Sequence, residues 1–106
     1  MRLGRILRSE EFADILRNGS RAQSRGIVLA HCDAAAGPRL GFAIGRSAGN
    51  AVQRNRFRRC VREFLRQHTL PKVDVVFSLR TQIKPLTNAM IRDSITILLR
   101  NNGWVA

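Results

Sequence analysis

Apolar residues recur along this chain with two different spacings, and the places where one gives way to the other outline its elements. From 9 to 18, Phe12, Ile15 and Leu16 fall at helical spacing. Ser9 stands at the expected cap, and Glu10, Glu11 and Asp14 load acid near the positive end of that helix. Gly19 is placed to close it in the left-handed conformation. Residues 20 to 25 are polar and basic and suit a short edge strand. Ile27–Cys32 is a continuous apolar run of strand length. Ala34-Ala35-Ala36-Gly37-Pro38 interrupts it, and Arg39–Gly45 resumes with Leu40, Phe42 and Ile44 in alternation. So short an interruption predicts an antiparallel hairpin between these two strands.

Helical spacing returns at Asn50, where Asn50-Ala51-Val52-Gln53 has the form of a capping box with Gln in the place of Glu. At about 100° per residue, Phe57, Cys60, Val61, Phe64, Leu65 and His68 share one face. Asn55, Arg59, Arg62 and Arg66 fall opposite, with Arg56 and Arg58 on the flanks. One side of this helix is made to pack on a sheet and the other is not, and Pro71 is expected to stop it. Val73–Leu79 is a further buried-type strand. A last helix over 87–101 buries Met90, Ile91, Ser94, Ile95, Ile97 and Leu98, and Gly103 ends it. The order α-β-β-β-α-β-α predicts a two-layer α/β sandwich of the α+β class. At 106 residues the chain suits one domain and is short for two.

Charge then narrows the function. The chain carries +12 at neutral pH, with 17 Arg against 2 Lys. Such an imbalance calls for an anionic partner, nucleic acid first and an anionic membrane second. Arginine's planar fork grips phosphate bidentately and stacks on bases, which suits structured RNA. Seven arginines and one acid, Glu63, lie between Gly45 and Arg66, so this stretch holds half the net charge. A merely solvated basic face remains the plain alternative. Cys32 and Cys60 have no zinc-type spacing, and the seven acids are scattered, so neither a structural metal nor a carboxylate-bound catalytic metal is expected. His31 and His68 lie in apolar patterns without an evident partner. No apolar run reaches membrane-spanning length and none has the form of a signal peptide, so a cytoplasmic location is expected.

Arg54-Asn55-Arg56 projects two forks and an amide in three directions from the first turns of the central helix, beside the positive end of its dipole. Gly49-Asn50-Ala51-Val52, then Arg54-Asn55-Arg56, then Arg58-Arg59 and Arg62-Glu63 resemble the signature of the protein subunit of bacterial ribonuclease P. Arg5-Ile6-Leu7 with Ser9-Glu10-Glu11-Phe12, Pro38–Phe42 and Asp74–Arg80 fit the same family in order along nearly the whole chain.

The resemblance implies a sandwich with a left-handed crossover between parallel strands around the central helix, where the general rule is right-handed. It implies a catalytic RNA subunit as cofactor and partner, holding Mg2+ and performing the hydrolysis, and precursor tRNA as substrate. The protein would be the non-catalytic subunit of an endoribonuclease that removes the 5′ leader. Residue by residue it implies RNA contacts at Arg54, Asn55 and Arg56, and at Arg46, Asn50, Arg58, Arg59 and Arg62, with Arg66 on the same helix. A cleft between the first helix and the open sheet face would take the single-stranded leader at Phe12, Leu16, Arg17 and Arg80. Leu16 and Ala30 stand where the family often has aromatics, there is no Tyr, and Ser47 replaces a second basic residue. Stacking is worth roughly 1–3 kcal/mol per base, so leader binding here would lean on Arg17, Arg21 and Arg80. Phe12 is also a candidate for plain core packing, and Trp104 for packing rather than stacking. A ribosomal-type or other structured-RNA binder without processing activity is the competing reading. A duplex-DNA reader and a membrane-surface helix are weaker ones.

The helical wheel predicts opposite outcomes for two variants. Val61→Asp, which drives a charge into the core, abolishes the cooperative unfolding transition. Arg59→Ala with Arg62→Ala keeps the fold but lowers RNA affinity and flattens its salt dependence, as thermal melts and binding titrations at several salt concentrations will show.

Overall fold

The computed structural model describes residues 3–6, 9–34 and 37–104. The elements run β1 (Gly4–Arg5), α1 (Ser9–Asn18), β2 (Ser20–Ser24), β3 (Ile27–Asp33), β4 (Arg39–Ala43), a 3-10 turn (Arg46–Ala48), α2 (Ala51–Leu65), β5 (Val73–Leu79) and α3 (Asn88–Asn101). The α+β order read from the sequence is present, and a two-residue strand at the amino end is added to it. The capping role expected of Ser9 lies outside the described residues, since its side chain is not among them.

The sheet order is β1-β4-β5-β3-β2. β5 pairs antiparallel with β3 and parallel with β4, so it lies between the two strands expected to form a hairpin. That hairpin is absent. The actual one joins β2 to β3 through Arg25–Gly26, both at positive φ (52° and 80°), the backbone that matches strand twist. The polar edge strand had hidden it, because Arg is not a usual left-handed turn residue. β4, α2 and β5 form a parallel crossover unit.

The main core lies between α2, α3 and one sheet face. It includes Leu29, Phe57, Val61, Leu65, Val75, Phe77, Ile91, Ile95 and Leu98. Ile97 is on the exposed side of α3, and Leu99 takes the buried place expected for it. α2 ends at Leu65, well before Pro71, as 3-10-type bonds from Gln67 to Phe64 and His68 to Leu65 close the last turn. Buried Leu70 then returns the chain to the core.

α1 lies on the opposite face. There Ala30, Val76 and Gly41 stand side by side across three strands, and such small residues let a helix approach closely. Ile15 packs on Ala30 and Val76, and the Phe12 ring occupies the space a Cβ at Gly41 would need. Gly19 ends α1 without positive φ. It is required because a Cβ would strike the carbonyls of Ile15 and His31.

Trp104 joins the main core and meets the edge of His31 at 4.7 Å between ring centres. Burial holds His31 below its ordinary value of 6.5, with Asp33 opposing. The neutral ring is therefore the one that packs. Its contribution to stability is complete above pH 6.5 and is lost as pH falls below it. Denaturant melts followed by Trp104 fluorescence are expected to show stability falling as pH drops below 6.5, with a shallower fall in His31→Leu.

Candidate nucleic-acid interface

The start of α2 is built by its own sequence. Asn50 Oδ1 accepts the Gln53 amide hydrogen at 2.8 Å, and Gln53 Oε1 accepts that of Asn50 at 2.9 Å. This completes the expected capping box and assigns Asn50 a structural task. The box uses two of the helix-end amides internally and leaves those of Ala51 and Val52 to supply positive potential at the end. Arg46 is exposed on the preceding 3-10 turn. That turn is tied to the segment after β5 by Ile83 N–H donating to Ala48 O at 2.8 Å.

The signature arginines are less free than the helical wheel suggests. Arg54 Nε donates to Gly49 O at 3.2 Å. Arg56 reaches across to the turn before α3. Its Nη2 donates to Ile83 O and Leu86 O (3.3 and 2.9 Å) and its Nη1 to Asn88 Oδ1 (2.8 Å). Arg56 therefore fastens α2 to α3 and keeps only part of its fork for a ligand. Asn55 is exposed, and its Oδ1 accepts from Arg58 Nη1 at 3.1 Å. Arg59 and Arg66 are exposed, as expected.

Arg62 differs from the expectation. It is half-buried, with its guanidinium carbon 5.8 Å from the centre of the Phe42 ring. Phe42 is itself stacked on Phe77 and edge-on to Phe57. Arg62 thus lies at the margin of the apolar face, because Phe42 rises from β4 beneath it. With Arg58 and Arg66 one turn to either side, it lines a groove of about 380 Å³ at the β1–β4 end of the sheet. Arg5, Phe12, Gly41 and Phe42 complete the working part of the lining, which holds no acid. Desolvation, then Arg5, Arg66 and Arg58, pull the Arg62 guanidinium below its ordinary value. Four cations lining one groove with aromatic rings have the chemistry to suit a phosphate with a stacking surface beside it.

Arg5 belongs to this constellation and was missed as a site residue. β1 brings it there by pairing it with Leu40, and two residues give a strand no readable pattern. On the other flank of α2, Arg56, Arg59 and Arg92 line a smaller groove with Glu63.

The expected leader-cleft residues divide between two places. Phe12 lines the arginine groove, whereas Arg80 lines a shallow depression of about 210 Å³ with Arg21, Gln23 and Val28 on the same sheet face. Leu16 is half-buried in the small core beneath α1, and Arg17 is exposed in its last turn. Among the described residues, no three His, Cys, Asp or Glu side chains cluster as a metal site requires. Glu11 and Asp74 both bind Arg39. His68 Nδ1 lies 2.9 Å from Phe64 O and its ring packs on Phe64. No helix among the described residues is long and apolar enough to cross a membrane.

Residues 1–102 match the family model described as Ribonuclease P. The ribonuclease P protein component of Chloroflexus aurantiacus is 37% identical over 102 residues, covering 91% of this chain and 75% of that protein. That of Geobacillus kaustophilus is 29% identical over 104 residues, covering 93% and 86%. The solved Staphylococcus aureus RNase P protein superposes with a TM-score of 0.86 at 25% identity, over 96% of this chain and 97% of the other.

The two roles found among the arginines separate by mutation. Arg56→Ala leaves the Leu86 carbonyl without its donor, while Ile83 O keeps the Leu86 N–H at 2.8 Å, and is expected to cost about 1–3 kcal/mol of folding stability. Arg59→Ala is expected to stay within about 0.5 kcal/mol of the parent. Urea unfolding of the two variants measures the difference.

Proposed function

The chain belongs to the bacterial ribonuclease P protein family, and from that premise we propose that it is the RNA-binding, non-catalytic subunit of a tRNA-processing endoribonuclease. All 106 residues serve as one RNA-binding domain, working in the cytoplasm. The catalytic RNA holds Mg2+ and cleaves precursor tRNA, and the protein grips RNA. The observation that carries this reading is the acid-free groove of Arg5, Arg58, Arg62 and Arg66 over Phe12 and Phe42, with exposed Arg46, Asn55 and Arg59 elsewhere on the 3-10 turn and α2.

Each part of the surface has a task set by its chemistry. The exposed arginines of α2 and the 3-10 turn neutralise phosphates of the catalytic RNA, releasing close to one counterion per contact. Arg54 and Arg56 do so with the part of each fork that structural carbonyls leave unused, and Asn50 acts mainly by fixing the helix end. The leader follows the sheet face beside α1. Phe12 offers that face a half-exposed ring, and Arg17, Arg21 and Arg80 offer backbone contacts. Leu16 and Ala30 supply no ring, so this face holds the leader more by charge than by stacking. Of the acids, Glu11 and Asp74 are committed to Arg39 and Asp93 to Arg25. In this reading magnesium takes its oxygen ligands from RNA, and hydrolysis is the work of the RNA.

Reconstitution with the cognate catalytic RNA tests the assignment. Added protein is expected to raise the rate of 5′-leader removal at low Mg2+ and to lower the Mg2+ requirement. Unchanged cleavage with RNA binding retained would instead mark a structured-RNA binder without a processing role.

A further inference from the structure

We infer that Glu11 and Arg39 are positioning residues for leader recognition, an ionic clamp that sets α1, and Phe12 with it, at a fixed place above the sheet. The inference rests on the reading of the α1 face as the leader surface.

Arg39 and Asp74 are register partners on β4 and β5. The Arg39 edge donates twice to this one carboxylate, Nε to Oδ1 at 2.8 Å and Nη2 to Oδ2 at 2.6 Å. Asp74 is 7% exposed, so the guanidinium is anchored from below by a buried partner. The same Nη2 donates to Glu11 Oε2 at 2.6 Å. The two hydrogen-bonded carboxylates raise Arg39 above its already high ordinary value, so it is charged at any working pH.

Glu11 is in the first turn of α1 and is followed directly by Phe12. Gly41, over which the Phe12 ring lies, is two residues beyond Arg39 on the same strand and therefore on the same face. The clamp and the ring's seat are thus adjacent on one side of β4.

The rest of α1 is held differently. Ile15 packs on Ala30 and Val76, and Gly19 abuts the His31 carbonyl. Both contacts act on the middle and the carboxyl end. At the amino end, Glu11 supplies the directed polar contact. Ten residues of helix are marginal without such tertiary support. Losing the Glu11 bond therefore lets the first turn move and blurs where Phe12 stands, while the sheet beneath keeps its Arg39–Asp74 pair.

Glu11→Gln is the variant to use, because Arg39→Gln would leave buried Asp74 unpaired and threaten the fold. With the holoenzyme reconstituted from this chain and the catalytic RNA, affinity is measured for precursor tRNA and for mature tRNA. Their ratio isolates the leader's contribution. Both partners are about one-third exposed, so Glu11→Gln is expected to lower that ratio about threefold to fivefold. Phe12→Ala lowers it as well, and the double variant falls no further than the larger single effect. Amide hydrogen exchange in the first turn of α1 speeds up, while affinity for the catalytic RNA and the melting midpoint stay at parental values.

An unchanged ratio in Glu11→Gln, or effects of the two variants that simply multiply, overturns the clamp. A loss of catalytic-RNA affinity and melting midpoint in step with the ratio also overturns it, by showing a general structural role. If the parental holoenzyme binds precursor and mature tRNA alike while Mg2+ rescue persists, the leader reading itself fails and takes the clamp's role with it.

Discussion

The burial of Phe57, Val61 and Leu65 against the sheet is the contact on which the rest of this molecule depends. All three are at most 2% exposed, on a helix that also carries six arginines between Arg54 and its cap at Arg66. Desolvating a guanidinium without a partner is costly, so the apolar stripe admits one rotation of α2 about its axis. Every arginine direction follows from that rotation. Arg58, Arg62 and Arg66 turn toward β4, Arg56 toward α3, and Arg59 to water.

That rotation has a second consequence, a division of labour among residues of one type. Arg56 meets the carbonyls of Ile83 and Leu86, and so its charge holds two helices together. Arg62 meets the face of Phe42, and so its charge stays available but is confined. Arg59 meets nothing of the kind and acts as a solvated cation. A count of arginines misses this, because affinity for a polyphosphate depends on which guanidinium edges remain unpaired. The same holds on the opposite face. There Arg39, held between Asp74 and Glu11, contributes to architecture although it belongs to a strongly basic chain.

Small residues complete the design. Ala30, Val76 and Gly41 form a flat strip on which α1 rests, and the missing Cβ at Gly41 is what admits the Phe12 ring. A ring seated there is half-buried, so it belongs to the small core and to the arginine groove at once. Packing and binding were alternatives for Phe12 when only the sequence was considered. In the fold the one side chain packs on the small core and also lines the groove.

What the sequence determined by itself is what short-range physics controls. The Asn50–Gln53 cap, the stripe of Phe57, Val61 and Leu65, the runs of β3 and β5, and the stop at Gly103 depend on neighbours within a few residues, and each is visible in spacing alone. The motif around Arg54-Asn55-Arg56 carried the family in the same way, as a local word. Tertiary structure alone decided which strands pair, since β5 enters between β3 and β4 from more than thirty residues away. It also decided which arginines are spoken for. The acceptors of Arg56 lie 27 to 32 positions further on, those of Arg39 lie 28 positions back and 35 ahead, and Arg5 reaches its groove only through a two-residue strand. A side chain's exposure and its hydrogen-bond partners depend on what the chain brings to it from a distance, and no local pattern records that.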